Sequence, residues 1–164
     1  MAREFSDPPQ KSFEDFEQGD IVTTRRRTIE MSDIVNFASL TGDFYPLHID
    51  AVACADGRFK SRIAHGPLTF SLAVGLVGMT GYYGDAIVAL KEITELRATA
   101  PVLPGDTLHV RAVVEVVDGT KSEKAGLIAV RYAVINQRDE QVMTFLQTML
   151  AKKKLPEEIS QDEH

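Results

Sequence analysis

One stretch limits the possible folds more than any other. Residues 66–81, opening on Gly66-Pro67 and running through Leu68, Leu72 and Leu76, are apolar on nearly every side. A helix with no polar face belongs inside a protein. This one is too short and too glycine-rich to span a bilayer. Pro67 suits its first turn, where a missing N–H removes no hydrogen bond. Another part of the chain has to wrap around it.

The second half of the sequence supplies the wrapping. Leu108, Val110, Ala112, Val114 and Val116 alternate with His109, Arg111 and Glu115, as strand residues between core and solvent do. Residues 127–135 and 142–150 alternate similarly or are β-branched, residues 87–96 read as a partner strand, and a further strand is expected over 21–29. Turns fall at Pro104-Gly105-Asp106, Asp118-Gly119 and Arg138-Asp139. In the first half, Ser32 caps a short helix through Ile34, Val35, Phe37 and Ala38 that stops near Gly42; residues 43–65 are loop-rich. The expected class is α+β, a long antiparallel sheet around one buried helix. Gly75, Gly78 and Gly81 have the wrong spacing for a dinucleotide loop and read as small residues that let the sheet pack closely on the helix.

A chain of 164 residues suits one domain. Its expected limits are 13–152, with a flexible lead-in at 1–12 and a charged tail at 153–164. Eighteen basic against 24 acidic residues, a net charge of −6, argue against non-specific nucleic-acid binding. A few clustered cations still suffice for a polyphosphate ligand. Cys54, the single cysteine, excludes an intrachain disulfide and a thiolate zinc site. The histidines at 48, 65, 109 and 164 have no ligand-like spacing, so no metal is expected. The opening MAREFSDPPQKSFEDF lacks the layout of a signal peptide, so a cytoplasmic protein without a membrane partner is expected.

Two segments carry chemistry. In TGDFYPLHID, Asp43 and His48 stand five residues apart on a turn shaped by Gly42 and Pro46. A carboxylate and an imidazole on one short loop can grip a single water and move its protons, and histidine titrates near neutrality. In IAHGPL, Gly66 opens the buried helix, so its N–H points at open space within the positive end of the helix dipole. A thioester carbonyl there gains a donor where enolate charge develops, and the missing side chain lets it approach.

TGDFYPLHID followed by IAHGPL resembles the MaoC-like dehydratase family, which includes the R-specific enoyl-CoA hydratases. The family pattern is Ser/Thr-Gly-Asp-x-Asn-Pro-Leu/Ile-His, then Ile-Ala/Val-His-Gly. The similarity also takes in FEDFEQGD and LRATAPVLPGDTLHV. It implies a hot-dog fold, a reversible syn addition of water to a 2-enoyl-CoA, and coenzyme A as part of the substrate with no other cofactor. It further implies Asp43 and His48 as the acid/base pair, Gly66 as the holder of the thioester oxygen, and a homodimer or higher homo-oligomer. Two positions depart from the pattern: Tyr45 stands where Asn is usual, and Val74 where a Ser is often found.

Bulky Tyr45 reshapes the acyl pocket or donates through its hydroxyl. His65 either contacts substrate or braces the loop, the latter being the better reading. Arg58, Lys60 and Arg62 are the candidates for the CoA phosphates. Arg25, Arg26 and Arg27 read as a solvated run. A hot-dog thioesterase is the competing enzyme, although residues 68–81 lack the acid that such enzymes place on the helix. A non-catalytic CoA-thioester-binding subunit is the remaining alternative.

Overall fold

The structure, a computed structural model, describes residues 7–154. After a 3-10 turn at Phe13–Asp15 come β1 (Ile21–Thr23), β2 (Arg27–Thr28), α1 (Met31–Thr41), α2 (Pro46–Ile49), α3 (Ala51–Ala55) and α4 (Gly66–Gly78). Four long strands follow: β3 (Ile87–Ala98), β4 (Thr107–Asp118), β5 (Ala125–Ile135) and β6 (Gln141–Lys152). They form one antiparallel sheet in the order β1-β4-β5-β6-β3, with β2 also on β4.

The period-2 pattern decides which face of the sheet meets α4. Leu108, Val110, Ala112 and Val114 of β4, Ile128, Val130, Tyr132 and Val134 of β5, and Met143 and Phe145 of β6 are buried. They pack with Leu68, Ala73, Leu76 and Val77 of α4 in one core. A bulge between Val114 and Val116 ends the inward run of β4 and leaves Val116 exposed.

Several local expectations change. The strand expected at 21–29 breaks at Thr24, whose hydroxyl accepts from Val110 N–H (2.9 Å) and donates to Arg25 O (2.8 Å). A side chain thus takes a place that the ladder would fill, and the chain turns. The first long helix starts at Met31 rather than behind Ser32, because the Asp33 carboxylate accepts the Glu30 N–H at 2.9 Å and pairs with Arg27 at 2.7 Å. Its end is as expected: Gly42 adopts φ 80° and its N–H donates to Ala38 O. The 43–65 segment is not all loop, since Pro46 opens α2, and Asp50 Oδ1 accepts from Val52 and Ala53 N–H to start α3.

The helix α4 is not enclosed on every side. Ser71, Gly75 and Gly78 are exposed, and a Cβ added at Gly75 or Gly78 would meet nothing within 4 Å. Those glycines therefore do not mediate close packing on the sheet; buried Ala73 lies on the packed side. The open face borders a groove flanked by Arg25, Arg26 and Arg27.

At the sheet's margin, β3 pairs only with β6 among the described residues, and Leu90 is 58% exposed there. Part of the expected lead-in is tied down: Pro9 O accepts from Asp85 N–H, and Lys11 N–H donates to the Asp85 carboxylate. At the far end Lys153 Nζ donates to Gly119 and Ser122 carbonyls. The rest of the expected tail, 155–164, lies outside the described residues, as do residues 1–6. None of the described helices is long and apolar enough to cross a membrane.

Candidate active site

The two short segments around α1 and α4 meet above the start of α4. Asp43 follows the Gly42 stop directly, its side chain 51% exposed. Its Oδ1 accepts Tyr45 N–H at 3.3 Å, a turn held by the carboxylate. His48 lies on the single turn α2. Its Nδ1 is 2.7 Å from Ile63 O, and a carbonyl can only accept, so Nδ1 carries the proton. The Nε2 lone pair of a neutral His48 is thereby left free for a substrate or water.

His65 sits beneath both. It is 1% exposed, caps the start of α4, and stacks on the His48 ring with centroids 3.8 Å apart and 27° between planes. Phe37 closes the other flank at 5.0 Å. His65 Nε2–H donates to the backbone carbonyl of Asp43 at 3.0 Å, with the Asp43 carboxylate at 3.9 Å. Its Nδ1 is buried without a protein partner. One ring therefore contacts both proposed acid/base residues.

Asp43, His48 and His65 offer ligand atoms within 4.8 Å of one another, a cluster that the sequence spacing did not suggest. Imidazole lone pairs lie in the ring planes. Two stacked rings direct theirs side by side rather than at one point about 2.0–2.1 Å from each nitrogen. The arrangement fits a pair of proton carriers better than a metal centre.

Beside His48 opens a cavity of about 300 Å³, with Gly66 and Thr69 of α4 on its wall. The first-turn N–H of Gly66 has no acceptor within the helix. A Cβ at Gly66 would meet no atom from elsewhere in the described protein within 4 Å, so packing does not require glycine there. The room is the cavity's own.

The structure gathers some of the expected residues and separates others. His48, Gly66 and Arg58 share the cavity; His65 supports it from behind. Tyr45 does not line it. It is 65% exposed and borders a neighbouring depression with Cys54, which shares Arg58 and Phe59 with the cavity wall. Lys60 and Arg62 are also off the wall, and Lys60 Nζ donates to Asp56 O. The sequence reading missed Thr69, buried on the cavity wall with its hydroxyl donating to His65 O at 3.3 Å. Its signal was present: three residues after Gly66 on a helix means the same face. Phe59 is also on the wall, as are residues 98–102, which the sequence marked only as part of the segment resembling the family and not as site residues.

The family model described as MaoC like domain matches residues 13–137. The chain belongs to the MaoC-like dehydratase family. It is 41% identical over 104 residues to Protein MaoC of Klebsiella aerogenes, a match covering 63% of this chain and 30% of that protein. It is 32% identical over 89 residues to an (R)-specific enoyl-CoA hydratase of Aeromonas caviae, covering 43% and 66%. The chain thus spans under a third of the first relative and about two thirds of the second. Among solved structures, an Archaeoglobus protein described as a monoamine oxidase regulatory protein superposes with TM-score 0.83 at 33% identity, covering 88% of this chain and 96% of that one. A Mycobacterium tuberculosis protein described as having a double hot-dog fold superposes with TM-score 0.78 at 21% identity, covering 89% and 45%. The long sheet on a central helix is therefore the hot-dog fold. In this MaoC-like domain Val74 is half-buried against the core and off the cavity wall, so Thr69 supplies the nearest hydroxyl on α4.

Proposed function

We propose that this chain adds water reversibly across the double bond of a 2-enoyl-CoA thioester, giving the R-3-hydroxyacyl product. The observation that carries the reading is the His48 Nδ1–H bond to Ile63 O, which leaves Nε2 as an acceptor beside the cavity containing Gly66. An ionised Asp43 and a neutral His48 are two acceptors, suited to hold both hydrogens of one water. His48 Nε2 takes one proton as the water oxygen bonds to the β-carbon. The π electrons move onto the thioester oxygen, where Gly66 N–H and the helix dipole stabilise the enolate. Collapse of the enolate draws the proton from His48 to the α-carbon on the same face. His48 returns to its starting state, and no further cofactor is consumed; coenzyme A leaves as part of the product.

The free edge of β3 and the open face of α4 support a homodimer as the working unit, with a molar mass twice the chain's 18.1 kDa expected by light scattering. Hydrolysis has no comparable support, since Gly66–Gly78 carries no carboxylate. The test is loss of the conjugated enoyl absorbance on a panel of short enoyl-CoAs, with free thiol followed in parallel. Asp43→Asn and His48→Gln should each lower kcat by about 10²–10⁴-fold. Full activity in either variant removes that residue from the chemistry, and thiol release without hydration makes the protein a thioesterase.

A further inference from the structure

Arg58 stands out among the residues around the cavity. Among the described residues it is the only permanently charged side chain on a mostly apolar wall that includes Phe59, Ala98, Ala100, Val102 and Met143. Its guanidinium carbon sits 5.5 Å from the centroid of the Phe59 ring, a cation held against an aromatic face. Among the described residues no carboxylate pairs with it, whereas Arg27, Arg131 and Arg138 each have acidic partners.

The loop that carries Arg58 is held at both ends, and its far end reaches the site. Gly57 N–H donates to Cys54 O at the close of α3, and Ile63 N–H donates to Leu47 O next to His48. Ile63 O in turn accepts from His48 Nδ1. The arginine and the proposed base are thus positioned by one backbone unit.

Distance argues against the role that the sequence suggests for Arg58, contact with the CoA phosphates. The cavity is about 300 Å³, at the small end of ligand pockets. The arm between the CoA sulfur and its nearest phosphate resembles a short extended peptide, roughly 15 Å long. Arg58 is exposed and also borders the depression beside Tyr45, but it shares the cavity wall with Gly66, which places a cation within reach of the acyl end of the substrate rather than the far end of the carrier. Its natural counterpart is a carboxylate, which a guanidinium meets with paired hydrogen bonds.

We propose that Arg58 selects short 2-enoyl thioesters whose acyl chain ends in a carboxylate. This rests on the hydratase reading above. The arginine binds the terminal carboxylate while Gly66 holds the thioester oxygen, so the chain is fixed at both ends with its double bond beside His48. A site built around a charged contact discriminates strongly against an analogue that lacks the partner.

The test uses four-carbon 2-enoyl thioesters ending in carboxylate or in methyl, each as the CoA ester and as the N-acetylcysteamine ester, which has no phosphate. The carboxylate-ended chain should be favoured about 10- to 100-fold in kcat/KM in both carriers. Arg58→Gln should bring that ratio to about one, and Arg58→Lys should keep part of it. A methyl-ended chain favoured equally or better overturns the proposal. So does an Arg58→Gln effect confined to CoA esters with the ratio unchanged, which would assign the arginine to phosphate. Binding of succinyl- against butyryl-CoA by calorimetry separates the two layers. An Arg58-dependent preference for succinyl without turnover of any enoyl ester sinks the hydratase reading and leaves this one standing.

Discussion

His65→Phe isolates what the buried histidine does. The substitution keeps an aromatic ring against His48 and Phe37 but removes both ring nitrogens. The donor bond from Nε2 to Asp43 O is lost, a net of about 1 kcal/mol for a bond to a chain segment that water reaches. Against that, Nδ1 is buried without a protein partner, and such a group costs about 1–3 kcal/mol. A ring one atom larger in a site 1% exposed takes back about 1 kcal/mol through crowding. The sum lies within about 1 kcal/mol of zero. In urea unfolding followed by circular dichroism, the midpoint should move by less than about 0.5 M. His65→Ala, which also empties the ring's place, should lose about 2–4 kcal/mol. Activity should behave differently, because the Asp43 carbonyl is released and the carboxylate shifts with it. A misplacement near 1 Å lowers turnover about 10²-fold. A His65→Phe protein as stable and as active as the parent would leave His65 with packing alone. One that loses more than about 2 kcal/mol would refute the reasoning itself, since Nδ1 must then have a partner.

Acid stability should depend on Asp106, buried at the turn before β4. Burial works to raise its carboxyl pKa, but the Arg138 guanidinium, the Leu103 N–H and the Gln137 amide outweigh that and hold it below the usual carboxylate value. A lowered folded pKa means that the unfolded chain binds more protons, so this stability is complete above about pH 4 and lost as the pH falls through the folded value. Asp106→Asn should cost about 2 kcal/mol at pH 7 and little at pH 2, measured by denaturant unfolding at both; an equal loss at both would remove the charge from the explanation. Gly66→Ala separates fold from function in the opposite sense. No atom from elsewhere in the described protein lies within 4 Å of the new Cβ, so thermal stability should hold or rise by up to about 1 kcal/mol. Hydratase kcat/KM should fall about 10²-fold as the methyl displaces the thioester oxygen. Unchanged kinetics would place the carbonyl elsewhere.

The architecture was legible because it rests on the two periods that sequence displays directly. Alternation in 108–114, 128–134 and 143–149 reports the inner face of a half-buried sheet, and an apolar run without a polar stripe reports the helix it covers. The expectations that changed depend on single hydrogen bonds. Thr24 ends β1 because its hydroxyl meets Val110 N–H, and Asp33 rather than Ser32 organises the start of α1. A threonine in a strand and an acid in a first helical turn are both ordinary, so composition gives no warning. The uncovered face of α4 is a different case. An all-apolar helix predicts burial of every side, but one sheet covers only one side.

The site divides along the same line, between what residue type encodes and what the backbone supplies. Asp43, His48 and Gly66 announce themselves by type and spacing. What fixes the His48 tautomer is the carbonyl of Ile63, and what anchors Asp43 is its own carbonyl, gripped by His65. Every residue has a carbonyl, so no motif can signal which one fixes a tautomer. Arg58 shows the converse. Its type suggested phosphate, as arginine commonly does, and only its place beside Phe59 on the wall shared with His48 points it toward the acyl chain. The departure at Tyr45 weighs less than the pattern implied, because its side chain is off the cavity wall and the proposed pair is oriented by carbonyls instead. A site whose geometry is set by backbone acceptors can tolerate a changed neighbour in the motif, and it is correspondingly sensitive to anything that moves the 57–63 loop.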